Sequence, residues 1–192
     1  MKYYIDIKLL FNSEISLGFI WQKVYLPLHL ALVKTKDEDN KVKIGFSFPK
    51  YQDKSFPLGD VLRIFAPSKE DLISFDVMQS LRILDEYISI SEIKDVPSNV
   101  SEFVQFSRKQ FKSSSARLAR RQAMRKGISL EEALRNYEGM SEQSTKLPFV
   151  IMQSASSNQN MLIFIEKNIS NTEIKGLFST YGLSKTSTIP WF

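Results

Sequence analysis

The sequence predicts an α+β fold in two parts. Three observations predict it: short stretches alternate apolar with polar residues, longer stretches of helical period separate them, and one strongly cationic helix stands apart from both. The N-terminal part, residues 1–97, spells β-α-β-β-α-β, the ferredoxin-like order. The C-terminal part, residues 98–192, reads as a further α+β domain that carries the arginine-rich helix.

Each element follows from local patterning. Tyr3, Ile5, Ile7 and Leu9 alternate with Tyr4, Asp6 and Lys8, the period of a half-buried strand. A helix is expected from about Ser16 to Thr35, with Ile20, Val24, Leu28, Ala31 and Leu32 on one side. Pro27 lies inside it and is expected to kink it or to delay its regular start. The hydrophilic run Lys34 to Lys41 is a loop. Val42, Ile44, Phe46 and Phe48 then alternate as a strand that Pro49 stops, and Val61 to Ala66 makes a third strand. Ser68 with Asp71 opens a second helix running into the early eighties. Ile88 and Ile90 mark a fourth strand that ends before Pro97. Beyond Ser98 the pattern gives a strand around Phe103 to Phe106, the arginine helix, and a short helix opened by Ser129 and Glu132 and closed at Gly139. Strands at about Phe149 to Gln153 and Met161 to Ile165 precede an irregular C-terminal tail.

The composition of the 192 residues narrows the chemistry. There is no cysteine, which excludes disulfides, zinc knuckles and thiol nucleophiles. The start MKYYIDIKLL lacks the basic, apolar and small-residue regions of a signal peptide. No run approaches the length of a membrane span, so a soluble cytoplasmic protein with no membrane partner is expected.

Charge is distributed unevenly. From Ser101 to Lys126 eight lysines and arginines face the single acid Glu102, a local charge of +7 in a chain whose net charge is +5. Within that segment Arg117, Arg120, Arg121 and Arg125 fall inside an arc of about 140° on a helix, with Leu118, Ala119 and Ala123 on the other side. Ser113, Ser114 and Ser115 offer an N-cap. Such a stripe is bad for its own helix, because like charges three and four apart repel by about 0.2–0.5 kcal/mol a pair. A solvated face would interleave glutamates, and none occurs between Ser113 and Lys126. The stripe points to nucleic acid.

His29 is the only histidine, set among the apolar residues Val24 to Val33. By itself it reads as a partly buried core residue. It is also the only side chain whose unperturbed pKa suits acid-base work near neutrality. A metal route to strand cleavage needs converging carboxylates, but Asp37, Glu38 and Asp39 lie in a polar loop and Asp6 is isolated. The other route is open to RNA alone: the ribose 2′-hydroxyl attacks its own 3′-phosphate, given a base and good positioning. From the residues, a catalyst of that kind, a non-catalytic RNA-binding subunit and a double-stranded DNA reader all stay open.

A resemblance narrows the choice. Tyr181 to Phe192, YGLSKTSTIPWF, closely resembles the ending of the CRISPR repeat-processing endoribonuclease of the type I-F system. In the same order along the chain, His29 stands late in the first helix, Gly45 to Pro49 (GFSFP) resembles the second strand, and Ser107 to Ser113 (SRKQFKS) leads into the arginine helix. Leu147 to Val150 (LPFV) is followed by Ser154 at the position of the family's active-site serine.

The resemblance implies that His29 acts as general base on the 2′-hydroxyl, that Ser154 holds the ribose upstream of the cut, and that Tyr181 helps orient the imidazole. It implies that Arg108 and Gln110 read base edges near the foot of an RNA stem, where the arginine fork suits guanine. Arg117, Arg120, Arg121 and Arg125 correspond to a helix laid into the major groove of a short hairpin, whose open end admits what A-form geometry ordinarily excludes. Met161 stands where the family can place an aromatic that stacks on the terminal base pair; methionine gives a softer platform. Ala119 and Met124 stand where further arginines can occur. The implied partners are the CRISPR repeat RNA hairpin, retained afterwards as crRNA, and the other subunits of the type I-F surveillance complex. No cofactor and no metal is implied.

Overall fold

The N-terminal alternation builds β1 (Tyr3–Leu9), with Ile5, Ile7 and Leu9 buried and Lys8 exposed. The structure, a computed structural model, describes residues 1–12, 14–111, 115–139, 145–153 and 159–192. Helix α1 (Leu17–Lys34) follows, opened by Ser16, whose Oγ accepts from the Phe19 N–H. Leu17, Ile20, Trp21, Val24, Tyr25, Leu28 and Leu32 recur at helical spacing along α1 and are buried, each worth about 1.5–3 kcal/mol if fully transferred from water. Trp21 also satisfies its indole N–H on the Gly59 carbonyl at 2.8 Å. The helix runs through Pro27 and starts at Leu17, so its regular start is not delayed. Proline removes the donor that would serve the Lys23 carbonyl.

The run from Val42 to Phe48, expected as one strand, is two. β2 (Lys41–Val42) pairs with β10 (Phe178–Ser179), whereas β3 (Gly45–Ser47) pairs with β4 (Val61–Ala66). The side chains keep their alternation-derived place in the core, since Val42, Ile44, Phe46 and Phe48 are all buried. What changes between them is the backbone's partner. The expected second helix is likewise divided. Ser68 caps α2 (Lys69–Phe75), accepting from the Asp71 N–H at 3.1 Å and donating to its carboxylate at 2.6 Å. Asp76, at φ 42°, then closes α2, and its carboxylate opens α3 (Val77–Leu81) by accepting from Gln79. A 3₁₀ turn at Arg82–Tyr87 leads into β5 (Ile88–Ile90).

Among the described residues, the first sheet has the order β3-β4-β1-β5, antiparallel throughout, with β6 (Lys94–Asp95) pairing the opposite end of β1 from β5. A second antiparallel sheet has the order β11-β7-β9-β8, formed by β7 (Glu102–Lys109), β8 (Phe149–Gln153), β9 (Asn160–Ser170) and β11 (Ile189–Trp191). The C-terminal tail, expected to be irregular, thus contributes β10 to one pairing and β11 to another. Its end is fastened too: Arg63 pairs with Asp6, donates to the Phe192 carbonyl at 2.9 Å and lies over the Phe192 ring at 4.2 Å.

Residues 1–109 and 147–192 form one compact unit, and residues 110–146 a second that holds α4 (Ser115–Lys126) and α5 (Leu130–Arg135). Pro97 lies inside the larger unit. Phe106 of β7 meets Phe48 edge-on at 5.0 Å and Tyr51 at 5.5 Å, and the Tyr51 hydroxyl donates to the Ile165 carbonyl at 2.8 Å, so core contacts cross that point in the chain. No helix among the described residues is long and apolar enough to cross a membrane.

Candidate active site

Helical spacing sets the site. Tyr25 and His29 are four residues apart on α1, so both point the same way. They meet a tight turn, Ser179 to Gly182, closed by the Gly182 N–H donating to the Ser179 carbonyl at 2.8 Å. The turn leaves two carbonyls available, and α1 takes both. His29 Nδ1 lies 2.7 Å from the Thr180 carbonyl, and the Tyr25 hydroxyl donates to the Tyr181 carbonyl at 2.8 Å. The Tyr181 ring lies flat on the imidazole, with centroids 4.4 Å apart and planes within 9°. Gly182 makes the turn possible. It sits at φ 71°, and a Cβ there would lie 2.3 Å from the Phe46 ring. Its carbonyl accepts from the Phe46 N–H at 2.8 Å, locking the turn to β3.

These contacts decide the imidazole's protonation pattern. A carbonyl oxygen only accepts, so neutral His29 must carry its hydrogen on Nδ1, and the lone pair then resides on Nε2. Partial burial pushes the His29 pKa below its ordinary 6.5; the Thr180 bond opposes that shift and the nearby Arg108 guanidinium adds to it. At neutral pH the ring is a base whose lone pair resides on Nε2. The half-buried Arg108 places its guanidinium 4.7 Å over the Tyr181 ring, and its buried Nε has no hydrogen-bond partner among the described residues.

The structure therefore brings His29, Tyr181 and Arg108 together. Met161 lies on β9 opposite Met152 and packs against the core. Ser154 lies outside the described residues. Gln110 and the four arginines belong to the smaller unit. Within that unit Arg117, Arg120, Arg121 and Arg125 are all exposed along α4, Ala119 is fully buried, and Leu118 and Ala123 are partly so. Gly127, at φ 66°, ends α4 with its N–H on the Ala123 carbonyl at 2.9 Å. Ser115 is the first residue of α4, and the other two serines expected to cap it, Ser113 and Ser114, lie outside the described residues. Ser129 caps α5 as expected, accepting from Glu132 at 3.0 Å, but α5 stops at Arg135 and a turn carries the chain on to Gly139. Among the described residues no three of His, Cys, Asp or Glu converge as a metal-binding group.

Three site residues escaped the sequence reasoning: Tyr25, Thr180 and Gly182. The spacing of Tyr25 from His29 and the Tyr-Gly step after a short strand were the available signals. Neither specifies a partner some 150 residues away.

The family model described as a CRISPR-associated protein (Cas_Csy4) matches residues 4–192. The chain is 34% identical over 193 residues to the CRISPR-associated endonuclease Cas6/Csy4 of Pseudomonas aeruginosa (strain UCBPP-PA14), and 33% identical over 193 residues to that of Escherichia coli (strain UTI89 / UPEC). Both relatives are matched over 100% of their length and 100% of this chain. An imidazole whose lone pair resides on Nε2, a cationic helix and a full-length match to this family agree, and the chain belongs to the Csy4 family of CRISPR-associated proteins.

Proposed function

We propose that this chain is a metal-independent endoribonuclease that cleaves CRISPR repeat RNA at the 3′ base of its hairpin. The observation that carries this reading is the His29 Nδ1 contact with Thr180, which leaves Nε2 as the basic atom. In the proposed step Nε2 takes the proton of the ribose 2′-hydroxyl as that oxygen attacks phosphorus. The bond from phosphorus to the 5′-oxygen breaks, and the leaving oxygen takes up a proton. The products are a 2′,3′-cyclic phosphate and a free 5′-hydroxyl. The nucleophile is built into the substrate, so the scheme draws its rate from positioning and one base. Tyr181 holds the imidazole plane, and Ser154 is assigned to the ribose upstream of the cut.

Binding is assigned to residues 98–192. The exposed arginines of α4 engage stem phosphates and supply salt-dependent affinity, Arg108 and Gln110 read base edges, and Met161 covers the terminal base pair. The cleaved hairpin stays bound, with the protein acting in the cytoplasm as a subunit of the type I-F surveillance complex. Residues 1–97 are taken as a ferredoxin-like unit, a reading supported by the strand order β3-β4-β1-β5.

The test is incubation with the system's own repeat RNA in EDTA, followed by mapping of the product ends. Cleavage with a cyclic phosphate is expected. A magnesium requirement contradicts the mechanism, and tight hairpin binding without any cleavage means a non-catalytic binding subunit.

A further inference from the structure

The Tyr25 hydroxyl is buried and committed to one acceptor, the Tyr181 carbonyl at 2.8 Å. That carbonyl belongs to the residue whose ring stacks on His29, and it follows directly after the Thr180 carbonyl that holds Nδ1. Two side chains one helical turn apart on α1 thus grip two consecutive carbonyls of one turn. The Tyr25 ring is itself fixed, meeting Phe46 edge-on at 5.9 Å, and Phe46 anchors the same turn through Gly182. A core tyrosine with no such task would serve as well as phenylalanine, because its hydroxyl must otherwise be satisfied at some cost.

We propose that Tyr25 is a positioning residue for the reaction: its hydroxyl fixes the turn at Thr180 and Tyr181, and through it the tautomer and aim of the His29 imidazole. This rests on the endoribonuclease reading for its consequence, though not for its geometry. Burial pushes the Tyr25 phenol pKa well up, so the hydroxyl keeps its proton and remains a donor across the working pH range. Without it the Tyr181 carbonyl must find another donor, the turn keeps its Ser179 and Phe46 bonds alone, and Thr180 presents its oxygen less firmly. The imidazole then exchanges between two tautomers, one of which carries a hydrogen on Nε2 and cannot act as the base.

The test is Tyr25→Phe, which removes one oxygen and keeps the ring, compared with Ile20→Val, a core trim on the same helix that leaves the turn alone. Two readouts separate the claims. In the RNA-free protein, ¹⁵N chemical shifts of His29 report its tautomer whether or not the protein cleaves anything. A single Nδ1–H tautomer is expected in the native chain and in Ile20→Val, and a mixture in Tyr25→Phe. With hairpin RNA, single-turnover cleavage by Tyr25→Phe is expected to fall about tenfold or more while hairpin affinity holds, whereas Ile20→Val cleaves at the native rate. An unchanged tautomer and rate in Tyr25→Phe overturn the proposal. A tautomer shift in a protein whose native form cleaves nothing instead overturns the endoribonuclease reading and leaves the positioning contact standing. Should Tyr25→Phe not fold, hydrogen exchange of the Tyr25 hydroxyl in the native chain decides: protection supports the contact and free exchange overturns it.

Discussion

The two compact units solve opposite problems. The larger one hides its chemistry. His29 is half-buried, stacked, hydrogen-bonded and depressed in pKa, and its neighbours Tyr25 and Tyr181 are packed into or against the core. The smaller one displays its chemistry. Four arginines crowd the exposed face of a helix with no acid on it, while Ala119 and Ala133 are its fully buried helical side chains. Precise aim requires packing, because a reacting lone pair displaced by an ångström loses most of its effect. Phosphate binding requires exposed charge, and that charge destabilises its own helix until an anion arrives. On the proposed function, aim belongs to the larger unit and phosphate affinity mainly to α4, and substitutions in each should break different things.

The largest expected effect is in the rigid unit. Gly182→Ala puts a methyl into the Phe46 ring at a left-handed backbone position, and about 3 kcal/mol of stability should go, with cleavage failing alongside it. Chemical denaturation measures the first and single-turnover kinetics the second. A variant as stable as the native chain would mean that the turn is not clamped between β3 and α1.

The charged unit should respond in the reverse sense. Replacing Arg120 and Arg121 together by alanine should weaken hairpin binding at least tenfold and flatten the slope of log affinity against log salt by about 1.5. The free protein should be no less stable, since two repelling charges are gone and alanine favours helix. An unchanged salt slope would remove α4 from the phosphate-binding surface.

The smallest effect concerns pH. Because burial lowers the His29 pKa below 6.5, the basic form persists below that value, and kcat/KM should fall only as pH drops through a midpoint under 6.5. A midpoint above 6.5 would mean that an anionic neighbour, or the RNA itself, outweighs desolvation in the reacting state.

What was legible in the sequence was local. The alternation in Tyr3 to Leu9, the apolar face of α1, the caps at Ser68 and Ser129, and the split of α4 into a cationic and a packing face all follow from neighbours within a few residues. Breaks set by distant partners were not legible. Val42 to Phe48 keeps one pattern of burial yet divides between β10 and β4, and only the fold reveals that its backbone changes partner at the middle. Asp76 divides a helix by adopting a left-handed conformation that aspartate tolerates but does not announce. The same limit governs the site. His29 stood out by rarity and by resemblance, and Tyr181 by resemblance. The turn that binds both, and the tyrosine hydroxyl that braces the turn, are contacts between residues 25 to 29 and 180 to 182. Arg108 was expected at a base edge, and the structure adds that its guanidinium rests on the Tyr181 ring.

The central claim is that Nε2 of His29 is the base. Its most direct measurement is His29→Ala, assayed for hairpin binding and for single-turnover cleavage of the bound RNA. The account predicts native affinity with cleavage reduced by at least about a thousandfold, within the range expected when a general base is lost. Cleavage at the native rate by that variant would contradict it.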